Sequence, residues 1–435
     1  MLAFSLIGVV ATIVGVLSLF SAVGRRPEAV RATERPPVES LEFVTGVAGS
    51  VNAPVQGGGT AQLLRNGDAL LPALLADLRR ARRSVDFMVY IWEPGRMSDS
   101  VARVLEERAR AGVRVRVLLD GFGGMDAPDS AFAALRRAGV RVATFRPVAL
   151  GTLMRLHRRN HRRAVVVDGA VGYTGGWAVG DKWLGDARTA EEWRDDGVRV
   201  TGAAARSLQA AFAQLWTGTT GEVLVGEAYF PPDPPPVRAP GDSGAAAPAP
   251  VRLTRHVSVT SSPALDAHPL RTVYWMTFAS ARRRLWITTP YFVPDGHVRA
   301  VMAERARAGV DVRLLLPGGH TDAAVVRWAA QRHYQELLSA GVRVYEYEPT
   351  MLHAKAVVVD GVWSVVGSAN LDIRSHELNE ENVLGMQDRE FAAQLEATFL
   401  ADVAAAREVR PAEWRARPWY HRTREWLAAV FEEQM

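Results

Sequence analysis

Two short runs in this chain carry residue types suited to handling an anion: HAKAVVVDG from His353 and HRRAVVVDG from His161. His353 and Lys355 are two apart, so on a strand both side chains leave the same face, an imidazole beside an ammonium. Asp360 falls at the opposite parity, where the run gives way to Asp-Gly, a turn pair, and so reads as a structural acid. Asp168 holds the same place in the first run. A second apolar stretch ends in Gly367, Ser368, Ala369 and Asn370, whose hydroxyl and amide could donate hydrogen bonds to an anion. The first run departs from the second in two places. Arg163 stands opposite Lys355, and Ala178 stands opposite Asn370. Arginine keeps the charge but is planar, larger and differently donating, so the exchange is not neutral.

The blocks that carry these residues belong to a longer repeat. ERARAGV occurs at 107–113 and again at 304–310, LRRAGVRV from Leu135 matches LLSAGVRV from Leu337, and the two histidine runs complete a colinear set. Three matches in order indicate a duplicated domain. Within each half, a β-rich run (Val85 to Trp92, Leu285 to Phe292) leads to an amphipathic helix stopped by glycine (Gly112, Gly309). A second strand, a helix ending at Gly139 or Gly341, a third strand and the histidine strand follow. This pattern predicts an α/β fold of two sandwich lobes with mostly parallel or mixed sheets, related by a pseudo-twofold that sets the histidine strands side by side.

A length of 435 residues suits two such domains. There is no cysteine, which excludes disulfides, thiolate catalysis and thiolate metal sites. The net charge of +5 comes almost wholly from arginine, Lys182 and Lys355 being the only lysines. Leu2 to Val23 is an uncharged apolar run followed by Arg25 and Arg26. It exceeds the ~18 residues at which a membrane span is suspected. It reads as an anchor over 1–24 in preference to a cleaved signal peptide, and its flanking arginines place the body in the cytoplasm. The remaining divisions are a tether at 25–59, a first lobe at 60–230, a Pro/Ala-rich linker at 231–250, a second lobe at 251–405 and a basic, aromatic tail at 406–435. That tail, from Trp414 to Trp426, mixes aromatics with arginines as interfacial segments do, although a packed terminal helix fits equally well.

HAKAVVVDG followed by GSANLD resembles the HxKxxxxD motif of the phospholipase D superfamily. DFMVYIW at Asp86, LLDGFG at Leu118, TTPYFVP at Thr288, the WxD of Trp193 and Asp195, and the late DREFAAQLEATF look most like bacterial cardiolipin synthases. The resemblance spans about Leu63 to the Phe399 region. It implies a phosphodiester enzyme with one active site shared between lobes, no cofactor and no metal. His161 would attack phosphorus and His353 would serve as acid and then base, with Lys355 and Arg163 as cations and Ser368 and Asn370 on the phosphate. Asp195 and Glu381 would orient the imidazoles, with Glu380 an equal rival to Glu381, while Asp168 and Asp360 would support the motif. The implied partners are membrane phospholipids such as phosphatidylglycerol and the bilayer of a bacterial inner membrane, with a single pass. Nucleic acid finds no aromatic-basic groove pattern here. A membrane-tethered phosphodiesterase or nuclease and a catalytically weakened lipid-binding member remain alternatives.

Overall fold

Val-rich runs such as AVVV at 164–167 and 356–359 are β-branched, and nearly every residue in them is buried, as strands covered on both faces must be. A computed structural model of the chain describes residues 29–149, 157–232, 248–263 and 268–429. The first half contains β1 (Thr60–Arg65), β2 (Ser84–Val89), β3 (Arg114–Asp120), β4 (Arg141–Phe145), β5 (Ala164–Val167), β6 (Val171–Gly175) and β7 (Asp196–Thr201), with β8 (Val251–Arg252) beyond the linker. In the second half come β9 (Arg255–Ser261), β10 (Arg284–Thr288), β11 (Phe292–Val293), β12 (Asp311–Pro317), β13 (Arg343–Tyr347), β14 (Ala356–Val359), β15 (Trp363–Gly367), β16 (Leu371–Asp372), β17 (Glu381–Gln387) and β18 (Ala406–Glu408).

One sheet runs β4-β3-β2-β5-β6-β7-β1-β8 and the other β18-β13-β12-β10-β14-β15-β17-β9. From β4 and from β13 the two orders coincide strand for strand, with β1 answering to β9. In each sheet the first three of these strands pair parallel and the rest antiparallel. Each parallel trio needs two crossovers, of which the helices Arg96–Arg110 and Gly296–Arg307 supply the first. Both stop at a glycine in the left-handed region, Gly112 and Gly309, where a Cβ would be strained.

Between the sheets lie two helices that cross the lobe boundary. Ala203–Thr220 covers its own sheet and touches β9, while Arg389–Ala404 covers the other sheet and touches β1. Phe212, Trp216, Trp286 and Phe399 therefore share one central core built from both halves, flanked by a separate outer core in each lobe.

Two expectations differ from this architecture. The span 25–59, expected as a tether, contains the helix Leu41–Ser50, its Ser40 hydroxyl accepting the Phe43 amide at 3.1 Å. Phe43, Val44 and Val47 pack into the outer core of the second lobe, Phe43 meeting Trp363 edge-on at 5.0 Å. A short apolar face was enough, given a sheet to cover. The histidines, too, are not within strands: β5 and β14 begin at Ala164 and Ala356, three residues after each histidine. The preceding backbone instead bridges the lobes, Asn160 to Glu380 and Arg194 to Leu352. The anchor proposed over 1–24 lies outside the described residues, among which no helix is long and apolar enough to cross a membrane.

Candidate active site

Each histidine is held by the half of the chain that it does not belong to. The His161 amide donates to the Glu380 carbonyl at 2.9 Å, and its Nδ1 lies 2.8 Å from Glu381 Oε1. Symmetrically, the His353 amide donates to the Arg194 carbonyl at 2.7 Å, and its Nδ1 lies 2.7 Å from Asp195 Oδ2. Asp195 leads into β7 and Glu381 opens β17, so each acid sits at the end of the strand bordering the lobe interface. With Nδ1 committed to a carboxylate, Nε2 of each ring is the atom left for substrate. The cations follow the same symmetry. Lys355 Nζ donates to the His353 carbonyl at 2.7 Å and lies over the ring, 3.2 Å from Nδ1 and 3.3 Å from Nε2, while Arg163 Nη1 donates to the His161 carbonyl at 2.8 Å. Tyr90 meets His161 edge-on at 5.0 Å and Tyr291 meets His353 at 6.3 Å, walling the site on both sides.

A family described as cardiolipin synthase, PLD-like domain, matches residues 74–216 and 275–403, one match in each lobe. The chain belongs to this phospholipase D-like family. It is 35% identical over 367 residues to the cardiolipin synthase of Geobacillus kaustophilus, covering 84% of this chain and 70% of that one. It is 34% identical over 360 residues to cardiolipin synthase 2 of Bacillus cereus, covering 82% and 67%. Among solved structures, phosphatidylserine synthase from Haemophilus influenzae aligns with a TM-score of 0.65 at 14% identity, covering 89% of this chain and 96% of that one, a likeness of fold.

The two halves of this phospholipase D-like site are not electrostatic copies. Burial would raise Asp195, but His353, Lys355 and the Trp183 indole, whose Nε1 donates at 2.9 Å, hold it below the usual carboxylate range. Asp195 Oδ1 also accepts the Asp196 amide at 2.8 Å, so N–H donors occupy both oxygens and favour the anion. Burial raises Glu381 to about 8 against the opposing pull of Arg163 and of the Ser368 and Ser375 hydroxyls, which donate to its carboxylate. Burial, together with the positive charge of Arg163 and Lys355, holds His161 well below its ordinary value. His353 is lowered to about 4 and Lys355 to about 7, burial being the largest cause in each.

Other candidates sit elsewhere. Ser368, read from sequence as a phosphate donor, is engaged by Glu381 and by the Asn382 amide, 2.9 Å away, so it supports the acid. Asn370 keeps a buried Oδ1 without a hydrogen-bond partner among the described residues. Asp168 and Asp360, at φ 53° and 52°, mark the opposite ends of β5 and β14 from the histidines. Asp168 accepts the amides of Arg82, Arg83 and Ser84, and Asp360 those of Arg282, Arg283 and Arg284, so both pin the start of the neighbouring strand and neither faces the site. Glu380 pairs with Arg162 at 3.2 Å, which separates it from Glu381. Tyr90, Tyr291, Trp183 and Ser375 were missed as site residues. A tyrosine at the end of DFMVY and another within TTPYF was the available signal for the first two.

Proposed function

We propose that the chain transfers a phosphatidyl group from one phospholipid to the hydroxyl of another, forming a cardiolipin-type product through a phosphohistidine. The crossed pairing of His161 with Glu381 and His353 with Asp195 carries this reading, because it leaves two Nε2 atoms for one phosphodiester. His161 Nε2 attacks phosphorus, a P–N bond forms, and the P–O bond to the leaving alcohol breaks as His353 delivers its proton to that oxygen. His353, now neutral, takes the proton of the acceptor hydroxyl. That oxygen attacks phosphorus and releases His161. Anionic Asp195 supports the imidazolium that His353 must be to deliver that proton, against the burial and the Lys355 charge that disfavour it, as the carboxylate does in other histidine sites. Lys355 and Arg163 offset the charge on the phosphoryl oxygens. Phosphatidylglycerol supplies both phosphatidyl donor and free hydroxyl. Residues 1–24 would anchor the enzyme by a single pass in the bacterial inner membrane, its body cytoplasmic.

Lipids extracted from cells lacking their own cardiolipin-forming enzymes test the proposal. Expression of the chain should yield cardiolipin, and His161→Ala or His353→Ala should yield none. Nuclease activity without a new lipid would overturn it.

A further inference from the structure

The terminal helix Trp419–Ala429 is inverted relative to an ordinary surface helix. Its inward face carries buried Glu425, paired with Arg417 at 2.8 Å, and Ala428, which joins Val293 and Ala329 in a small cluster. Outward, Trp419 is 75% exposed, Trp426 63%, and Tyr420 and Leu427 54% each. Positions 419, 423 and 426, spaced by four and three, form one stripe, with 420 and 427 alongside it. Exposed Arg410, Arg415 and Arg422 border the helix without an ion pair among the described residues. A contiguous exposed apolar face is rare on a monomer and marks a contact surface. Aromatics over aliphatics, bordered by uncompensated arginines, match a surface with an apolar interior and anionic headgroups.

The face is tied to the catalytic site through β11. Val293 sits in the helix's own cluster, and Tyr291, two residues earlier, walls His353. Across the pseudo-twofold, the turn after β3 exposes Phe122 (50%) and Met125 (58%). Its Gly123 lies against Tyr90, where an added Cβ would come within 2.8 Å of the ring, and Tyr90 walls His161. Each histidine wall therefore connects to an exposed apolar element.

We propose that the outer face of Trp419–Ala429 docks on the surface of an anionic bilayer, Trp419, Trp426 and Leu427 entering the interface and Arg415 and Arg422 meeting headgroup phosphates, with Phe122 and Met125 as the second point of contact. This deepens the lipid-transfer reading and rests on it: docking would let substrate enter the site from the membrane without crossing water.

The chain has no cysteine, so one introduced thiol can report on a chosen surface. Full-length protein carrying Trp426→Cys, or Arg103→Cys on an exposed position of the outer helix Arg96–Arg110, is labelled with an environment-sensitive fluorophore and reconstituted into phosphatidylglycerol/phosphatidylcholine vesicles. The label at 426 should shift to the blue and be quenched by spin-labelled lipid; that at 103 should do neither. Identical behaviour at both positions would overturn the proposal. So would a shift at 426 that follows protein concentration without lipid, which would assign the face to a second copy of the chain. In parallel, the triple variant Trp419→Ser, Trp426→Ser, Leu427→Ser should lose about tenfold or more in turnover of vesicle lipid. It should hydrolyse a soluble phosphodiester at the unaltered rate, which also controls for folding. Equal loss on both substrates would make the helix structural and overturn docking. A wild-type protein without lipid turnover would sink the transfer reading while leaving the label result to decide docking alone.

Discussion

Lys355 lies buried against His353 and loses its proton at about 7, while Glu381, behind His161, loses its own at about 8. Attack by His161 needs its single proton on Nδ1, shared with ionised Glu381, so formation of the phosphohistidine rises with pH toward 8. Phosphate binding needs Lys355 charged, so it weakens above 7. His353 must start protonated to serve as the acid and is held at about 4, so its loss offsets the gain at Glu381: kcat/KM is level from about pH 4 to 7 and falls up to ~tenfold per unit just above 7. Glu381→Gln should remove that offset, so that kcat/KM declines from about pH 4 upward, which a pH series on a soluble phosphodiester would show. The same lysine costs stability. Its folded pKa lies below the unfolded value, so the unfolded chain holds more protons between about pH 7 and 10.5, and stability rises with pH through that window. Lys355→Met should abolish turnover yet raise Tm by ~2 °C or more at neutral pH, read by calorimetry. The repeat of HxK and HxR was enough to locate the histidines and cations in the sequence. It could not separate Glu381 from Glu380, because adjacent carboxylates point to opposite faces and only the fold shows which face meets the other lobe.

At the level of elements, the first half is packed differently at its two departures, Ala178 among them. Ala178 is fully buried in the outer core of the first lobe beside Trp177 and Val179, so no vacant amide position awaits filling there. Ala178→Asn should therefore lower stability by ~1–3 kcal/mol without raising activity, measurable by denaturant melts and soluble-substrate turnover. Gly176, opposite Ser368, is more demanding. An added Cβ would lie 2.3 Å from Asp195 Oδ1 and 2.7 Å from the His353 carbonyl. Gly176→Ala should displace Asp195 from His353 and cost at least ~10²-fold in kcat with KM little changed. Trp183 supplies from an indole the hydrogen bond that Ser368 supplies from a hydroxyl on the other side. Strand and helix order was legible because apolar runs and glycine stops recur in register at about the same spacing in both halves. The helix Leu41–Ser50 was not, since its ten residues gain their stability from the second lobe's core and carry little intrinsic signal.

Across the whole molecule the lobes are fastened by charge as well as by the central core. Buried Arg194, in the first half, pairs with Asp196 at 2.8 Å and with Asp402 of the helix Arg389–Ala404 at 2.8 Å, and Asp402 also receives Arg65. Asp402→Ala leaves Arg194 short of a buried partner and should destabilise the protein by ~3–5 kcal/mol, with both lobes still melting in one transition by calorimetry. The duplication was visible in the sequence, but the exchange of acids was not, because sequence order sets His161 nearest Asp195 and only the docking of the lobes reveals the partner. That exchange bears on descent. Two tandem copies that each completed their own site could drift apart, one silenced and the other kept. Here a change in either copy is felt at the other's histidine, so selection acts on the couple. Doubling the second lobe alone would set His353 against Glu381, a match absent from the present chain, so the repeats have become complements and neither can stand in for the other.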